Sequence, residues 1–321
     1  MKSCLLVGGS GFVGTHISKY YLNNLFDKIH ILDLEKPGYS HESISFTQGD
    51  VREPIDPDLC DFKPDWIFNL AAIHREPGHR PEEYFETNIK GAKHVCKYAN
   101  AVNCKNIYFT SSISVYGPVH EATDENSLTC PNSPYGSSKL AAEYIHDGWQ
   151  KAGKDRRLLI VRPGVIYGPG DPGNIMRMIE AIRKGYFAFP GNTNIKKSYA
   201  YIYGLLESIK FFIEKDGVDN IRYNYVEYPT ETIGEIANHV NEFFNKRTPI
   251  FSLPKWLLLP VAKIIQSVLG DKNPIHPRRV EKASMPTNII PQVLINHEFN
   301  FKYDFKASLR DWMNKKSKDF E

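Results

Sequence analysis

Residues Ser3–Val7 form a short apolar, strand-like run that leads directly into Gly8-Gly9-Ser10-Gly11-Phe12-Val13-Gly14. Val13, Ile17 and Tyr20-Tyr21 then recur at helical spacing. Glycines alone make ordinary turns. Glycines spaced GxxGxxG between a strand and a helix carry a more specific meaning. Gly8 suits the tight turn, Gly11 leaves room for a pyrophosphate, and Gly14 permits close packing of the helix. Amides at the helix start, those of Phe12 and Val13 included, then face phosphate oxygens.

A second strand over 28–32 ends at Asp33, nineteen residues beyond Gly14. A carboxylate there accepts both hydroxyls of an adenosine ribose and repels a 2'-phosphate, which predicts NAD rather than NADP; the alternative is a turn cap. A third strand over 43–47 precedes Asp50 and Val51, placed to border an adenine. The fourth, over 65–70, ends in Asn69-Leu70-Ala71-Ala72, where small side chains let the backbone approach a cofactor. His74, Arg75 and Glu76 follow in a polar loop as candidate substrate contacts. Residues 82–99 read as a helix, with Asn88 a polar group that can hydrogen-bond backbone beside the site.

The fifth strand, Asn106–Thr110, delivers Ser111 and Ser112 to the carboxyl edge of the sheet, where ligands bind in open α/β folds. A helix over 134–150 carries Tyr135 and Lys139 one turn apart. A phenol with a pKa of about 10 is a poor base at neutral pH unless positive charge favours the phenolate. Lys139 can supply that charge, and Ser112 can donate to a substrate oxygen while Tyr135 moves a proton. Taken alone, the tyrosine and lysine also fit a plain surface pair.

A sixth strand over 158–161 leads to Arg162-Pro163-Gly164 and Tyr167-Gly168-Pro169-Gly170, where regular structure breaks. The expected organisation is α/β: a Rossmann-like doubly wound parallel sheet over 1–164, and a smaller C-terminal α/β substrate-binding domain over 165–321. Segments near 190–220 are expected to return to the first domain. Helices are predicted over 174–184, 205–214 and 232–244, strands over 186–189 and 221–226, and a frayed surface end after Asn314.

These residues resemble an extended short-chain dehydrogenase/reductase of the NAD-dependent epimerase/dehydratase branch that acts on nucleotide sugars. The resemblance rests on Gly8-x-x-Gly11-x-x-Gly14, Asp33, Asp50-Val51, Asn69-Leu70-Ala71-Ala72, Ser111-Ser112-x-x-x-Tyr116-Gly117, Tyr135-x-x-x-Lys139, Arg162-Pro163 and Tyr167-Gly168-Pro169-Gly170, which follow in the family's order over nearly half the chain. It implies that Tyr135 transfers the proton, Lys139 lowers its pKa and binds ribose, Ser112 steadies the substrate oxygen, and Tyr116 lies by the sugar. It also implies bound NAD, a nucleotide diphosphate sugar as substrate and a homodimer, to which the helices bearing Asn88 and Tyr135 are candidate contributors.

Three departures narrow the chemistry. Ile113-Ser114 stands where sugar-nucleotide dehydratases place Asp-Glu, so dehydration is not expected. Val165 stands where galactose epimerases have a phosphate-contacting asparagine. Lys197 replaces an arginine that reaches phosphate, keeping the charge without the fork of donors. A late arginine on the diphosphate is expected at Arg279, with Arg278 the alternative. The leading expectation is an NAD-dependent epimerase acting at C4 through a transient 4-keto sugar. An NAD(P)H-dependent 4-keto-sugar reductase is the runner-up, and a catalytically quiet NAD-binding regulatory protein is the different-class reading.

Composition bounds the rest. Forty Lys and Arg against 37 Asp and Glu imply no basic face for nucleic acid. Cysteines at 4, 60, 96, 104 and 130 show no metal spacing, and their odd number fits a reducing cytoplasm. The opening MKSCLLVGG is too short for a signal-peptide apolar region. The apolar run 256–269 has two readings, packing or an oligomer contact as the preferred one and a helix resting on a membrane as the other.

Overall fold

The computed structural model describes residues 1–75, 78–171, 173–270 and 277–321, with the backbone alone described at 268, 269 and 279. β1 (Ser3–Val7) is buried at every position. Cys4 and Leu6 face one core, Leu5 and Val7 the other. Apolar residues on both faces are what a central parallel strand requires, since helices cover it on both sides.

α1 (Phe12–Tyr21), β2 (Lys28–Asp33), β3 (Ile44–Gln48), β4 (Trp66–Asn69), α2 (Pro81–Ala101) and β5 (Asn106–Thr110) follow in order. After a 3-10 turn at Ile113–Val115 come β6 (Val119–Thr123), α3 (Pro134–Lys151) and β7 (Arg157–Pro163). α3 begins where chemistry permits: Ser133 caps it by accepting from the Gly136 amide at 3.1 Å, and Pro134 fills the first helical position.

The later elements are β8 (Val165–Tyr167), α4 (Asn174–Arg183), β9 (Ala188–Pro190), β10 (Tyr199–Tyr201), α5 (Ile202–Glu214), β11 (Asn220–Tyr225) and α6 (Ile233–Phe243). The chain ends with β12 (Phe251–Leu253), α7 (Lys255–Leu269), α8 (Pro277–Ser284), β13 (Thr287–Ile289), α9 (Gln292–Asn296) and α10 (Phe305–Lys316).

The main sheet has seven strands in the order β11-β7-β5-β4-β1-β2-β3, all parallel. The chain winds outward from β1 to β3, returns to β4, and then winds the other way. That reversal opens a crevice above the carboxyl ends of β1 and β4, the place where such sheets hold ligands. α1 and α5 cover one face with Ile17, Tyr21, Leu206 and Ile209; α2 and α3 cover the other with Val95, Ala99, Ala142 and Trp149. The doubly wound fold is therefore present. Smaller parallel pairs, β8–β10, β9–β12 and β6–β13, build the remaining lobe with the late helices.

The tail corrects one expectation. α10 continues to Lys316, and a second 3-10 turn, Ser317–Phe320, folds back. Phe320 is buried against Trp312, and Asp319 accepts from the Trp312 indole at 2.8 Å and from the Gly170 amide at 2.6 Å. One apolar anchor among lysines is enough to seat the end.

Candidate active site

The three motif glycines meet different demands. Gly8 has φ +82°, and a Cβ there would lie 2.5 Å from the Ala71 amide nitrogen. A Cβ on Gly14 would lie 2.5 Å from the Gly9 backbone, whereas one on Gly11 would meet nothing nearer than 3.7 Å. Gly8 and Gly14 are thus fixed by contact, whereas at Gly11 the protein itself leaves room for a side chain. α1 starts at Gly11 without a side-chain cap, which leaves its first amides available to an anion.

Among the described residues, the buried Ser10 Oγ and Asn69 Oδ1 have no hydrogen-bond partner. They belong to the turn after β1 and to the end of β4, on the two sides of the crevice. The Ser10 hydroxyl and the uncapped amides of α1 are donors that fit the pyrophosphate of a dinucleotide, whereas the Asn69 oxygen is an acceptor and calls for a donor instead. Phe12 and Val13 stand in the first turn of α1, Phe12 edge-on to His16 at 4.8 Å. Leu70, Ala71 and Ala72 are half-buried beyond β4, and the Leu70 amide donates to the Val7 carbonyl at 2.8 Å.

Asp33 ends β2. Its carboxylate accepts from the Ser10 amide at 2.9 Å and the Glu35 amide at 3.2 Å, so it braces the glycine turn. Asp50 is gripped by Arg52, whose Nε donates at 2.8 Å and whose hydrogen bonds hold the carboxyl below its usual range. Val51 is buried against α2 where Gly91 leaves room: a Cβ on Gly91 would lie 3.0 Å from both Val51 methyls.

The proton-transfer candidates gather where β5 meets α3. Ser112 is buried; its Oγ accepts from the Ser114 amide and donates to Ser114 Oγ, both at 3.1 Å. Tyr135 lies half-buried in the first turn of α3, its ring 6.4 Å from that of Tyr84. One turn on, Lys139 is only 2% exposed. Its Nζ donates to the Thr110 carbonyl at 2.8 Å and sits 4.7 Å from the Phe109 ring centroid. Burial draws its pKa down to about 7, against the pull of Glu143. Asn88 ties these pieces together: Oδ1 accepts from the Ile73 amide at 3.1 Å, and Nδ2 donates to Ser138 Oγ at 2.8 Å.

Beneath them runs a buried polar network that the sequence reading did not single out. Glu143 accepts from Ser111 Oγ at 2.5 Å and from Arg162 Nε and Nη2 at 2.9 and 2.7 Å. Arg162 also donates to the Tyr116 hydroxyl at 2.8 Å, and that hydroxyl donates to Asn224 at 2.9 Å. His146 stacks on Phe109 at 4.3 Å. Its Nδ1 donates to the Ala142 carbonyl at 2.7 Å, which leaves Nε2 to accept from Asn69 Nδ2 at 3.3 Å. Burial lowers its pKa to about 4, so the ring is neutral. One signal was available: Glu143 and His146 follow Lys139 at four and seven residues, on the same helix face.

The expected substrate contacts are dispersed. His74 keeps access to solvent, although surrounding chain and the charges of Lys139, Arg75 and Lys282 lower its pKa. Tyr116 is 3% exposed with its phenol committed to the network. Val165 on β8 is 40% exposed. Lys197 donates to the carbonyls of Lys282 and Met285 at 3.0 and 2.5 Å, at the end of α8, and burial lowers its pKa to about 7. Arg279 falls within α8, and its side chain lies outside the described residues.

Comparison with known proteins gives a consistent result. Residues 4–225 match the model of the NAD dependent epimerase/dehydratase family. An Escherichia coli O157:H7 protein, N-acetyl-alpha-D-glucosaminyl-diphospho-ditrans,octacis-undecaprenol 4-epimerase, is 34% identical over 290 residues, covering 88% of this chain and 86% of that one. Among solved structures, MoeE5 in complex with UDP-glucuronic acid and NAD is 20% identical with a TM-score of 0.75, covering 98% of this chain and 99% of that one. UDP-glucuronic acid 4-epimerase from Bacillus cereus in complex with NAD is 17% identical with a TM-score of 0.76 over the same shares. The glycine turn, the uncapped α1 and the matched residues agree, and the chain is an NAD-dependent enzyme belonging to the NAD dependent epimerase/dehydratase family.

Proposed function

We propose that this enzyme epimerises C4 of a sugar carried on a diphosphate, with a nucleotide diphosphate sugar as the substrate class and a homodimer as the working form. The supporting observation is the bond from Lys139 to the end of β5, which ties the first turns of α3, where Tyr135 stands, to the strand that leads into Ser112. Bound NAD supplies a two-electron acceptor that takes up and returns the hydrogen of the sugar carbon. Gly8, Gly11, Phe12, Val13 and Gly14 hold its pyrophosphate, Asp33 its adenosine ribose, Asp50 and Val51 its adenine. Leu70, Ala71, Ala72 and Asn88 shape the crevice wall.

Tyr135 accepts the C4 hydroxyl proton as the carbonyl forms and gives it back after the sugar has turned its other face. The ammonium of Lys139 favours the phenolate, and Ser112 donates to the C4 oxygen. His74, Tyr116, Val165, Lys197 and Arg279 are assigned to the substrate side. Ile113 is buried and Ser114 is bonded to Ser112, so neither supplies the acid and base that dehydration needs.

A second reading concerns the carrier alone. The Escherichia coli relative is named for an undecaprenyl-linked substrate, and its alignment spans most of both chains. That favours a polyprenyl diphosphate sugar beside the nucleotide sugars. The test is to incubate purified enzyme with sugars on both carriers, following product mass and NMR together with NADH absorbance. An isomer of unchanged mass without net cofactor turnover is expected. With a 4-keto sugar and added NADH in the same panel, consumption of NADH matched by a product two hydrogens heavier would replace the epimerase reading by the reductase.

A further inference from the structure

α7 is apolar on two sides. Leu258, Leu259, Ala262 and Ile265 are buried or half-buried. The opposite side carries Trp256 at 75% exposure, Ile264 at 65%, and Leu257 and Val261 at 46% each. At the helical repeat these four fall within an arc of about 140°. Lys263, also exposed, flanks that arc. Phe251, 56% exposed, extends the surface on β12. An isolated apolar side chain on a surface is ordinary, but a contiguous outward face beside charge marks an interaction site.

The sequence segment that carries this face is one-sided in charge. Residues 251–285 contain six basic residues, Lys255, Lys263, Lys272, Arg278, Arg279 and Lys282, against two acidic ones, Asp271 and Glu281. That net +4 exceeds the +3 of the whole chain. α8 packs beside α7, and Lys197 binds the carbonyls at its end. The charge of Lys282 is felt at His74, in the loop after β4.

We propose that the outward face of α7 docks on the surface of an anionic lipid bilayer, Trp256, Leu257, Val261 and Ile264 entering the headgroup boundary and the surrounding lysines meeting acidic headgroups. Tryptophan with flanking lysines is the composition of an interfacial helix. Two copies meeting through this face would bring like charges together, whereas anionic lipid neutralises them. No helix among the described residues is long and apolar enough to cross a membrane, so the contact is peripheral. The inference goes beyond the sugar chemistry and holds whichever carrier the substrate bears.

The test is co-sedimentation of the full chain with vesicles of phosphatidylcholine alone or mixed with phosphatidylglycerol. Binding to the mixed vesicles is expected, weakened by salt and reduced by about tenfold or more in the Val261→Glu/Ile264→Glu variant. Brominated acyl chains report the same contact through Trp256, because Trp66, Trp149 and Trp312 are buried. NAD binding by the variant confirms that it is folded. Absence of wild-type binding to anionic vesicles, or equal binding by the variant, overturns the proposal. A variant that turns a dimer monomeric in light scattering, while wild type ignores vesicles, assigns the face to a second copy instead.

Discussion

The ammonium of Lys139 donates to the carbonyl of Thr110 at 2.8 Å, joining the start of α3 to the last residue of β5. The group is buried and its pKa is drawn down to about 7, so its charge grows as pH falls through that value. A positive charge near a phenol favours the phenolate. Lys139→Met keeps the stem and removes the charge. Turnover is expected to fall by about 100-fold at or below neutral pH, and the deficit to shrink as pH rises above about 7, where Lys139 itself loses its charge. A pH–rate profile of both proteins measures this. A constant deficit at every pH would separate Lys139 from Tyr135.

Tyr135→Phe removes one oxygen from a half-buried ring at the head of α3. NAD affinity should stay within about threefold, while turnover falls by about 1,000-fold. Titrating NAD and assaying turnover on the same preparation distinguishes the two effects. Unchanged turnover would remove the phenol from the chemistry.

Asp33 accepts from the Ser10 amide at 2.9 Å, and the proposed function gives it a second, separable role as a charge beside the ribose. Asp33→Asn keeps an acceptor and loses the charge; Asp33→Ala loses both. Both should weaken NAD by about tenfold relative to NADP. Only the alanine variant should also loosen the glycine turn, read as faster exchange of the Ser10 amide. An unaltered ratio of the two dissociation constants would refute the ribose contact.

Much of this site was legible because its signals are local. β5 follows from its short apolar run, Ile107-Tyr108-Phe109, and the glycine turn from its spacing between a strand and a helix. What escaped is non-local. Glu143 looks like any helix glutamate until the fold sets Arg162 at 2.7 Å and Ser111 at 2.5 Å. The motif places Tyr116 near substrate, yet nothing in it shows the phenol committed to Arg162 and Asn224. Lys197 shows the same limit, since its partners are carbonyls some 85 residues later. Three-residue strands such as β8 and β10 are too short for periodicity to declare.

Glu227 provides a pH test of the packing around Tyr167 and α10. Its carboxyl is 7% exposed and accepts from the Tyr167 hydroxyl and from Ser308 Oγ at 2.7 Å; burial raises its pKa to about 8. The unfolded value is about 4.3. A raised carboxyl contributes stability that is full below the unfolded value and lost as pH rises through the folded one. Between about pH 5 and 9 the wild type should therefore lose about 3 °C or more in Tm relative to Glu227→Gln, which has no proton to lose. Thermal melts across that window decide the matter, and parallel curves would show that the carboxyl stays ionised throughout.

Glu143 and Arg162 form an ion pair at 2.7 Å with side chains 1% and 4% exposed, and Arg222 approaches the same carboxylate at 3.1 Å. Removing one member of such a pair costs more than the pair contributes, because the other is left desolvated and unpaired. Glu143→Gln presents an amide to the Arg162 guanidinium and should lower stability by about 3 kcal/mol. Replacing both, as Glu143→Leu with Arg162→Met, removes the stranded charge and should recover most of that loss. The comparison matters for the site because Glu143 also holds Ser111, the neighbour of Ser112. If the network serves positioning, the double variant regains its urea midpoint without regaining turnover. Recovery of both would make the pair a matter of stability alone.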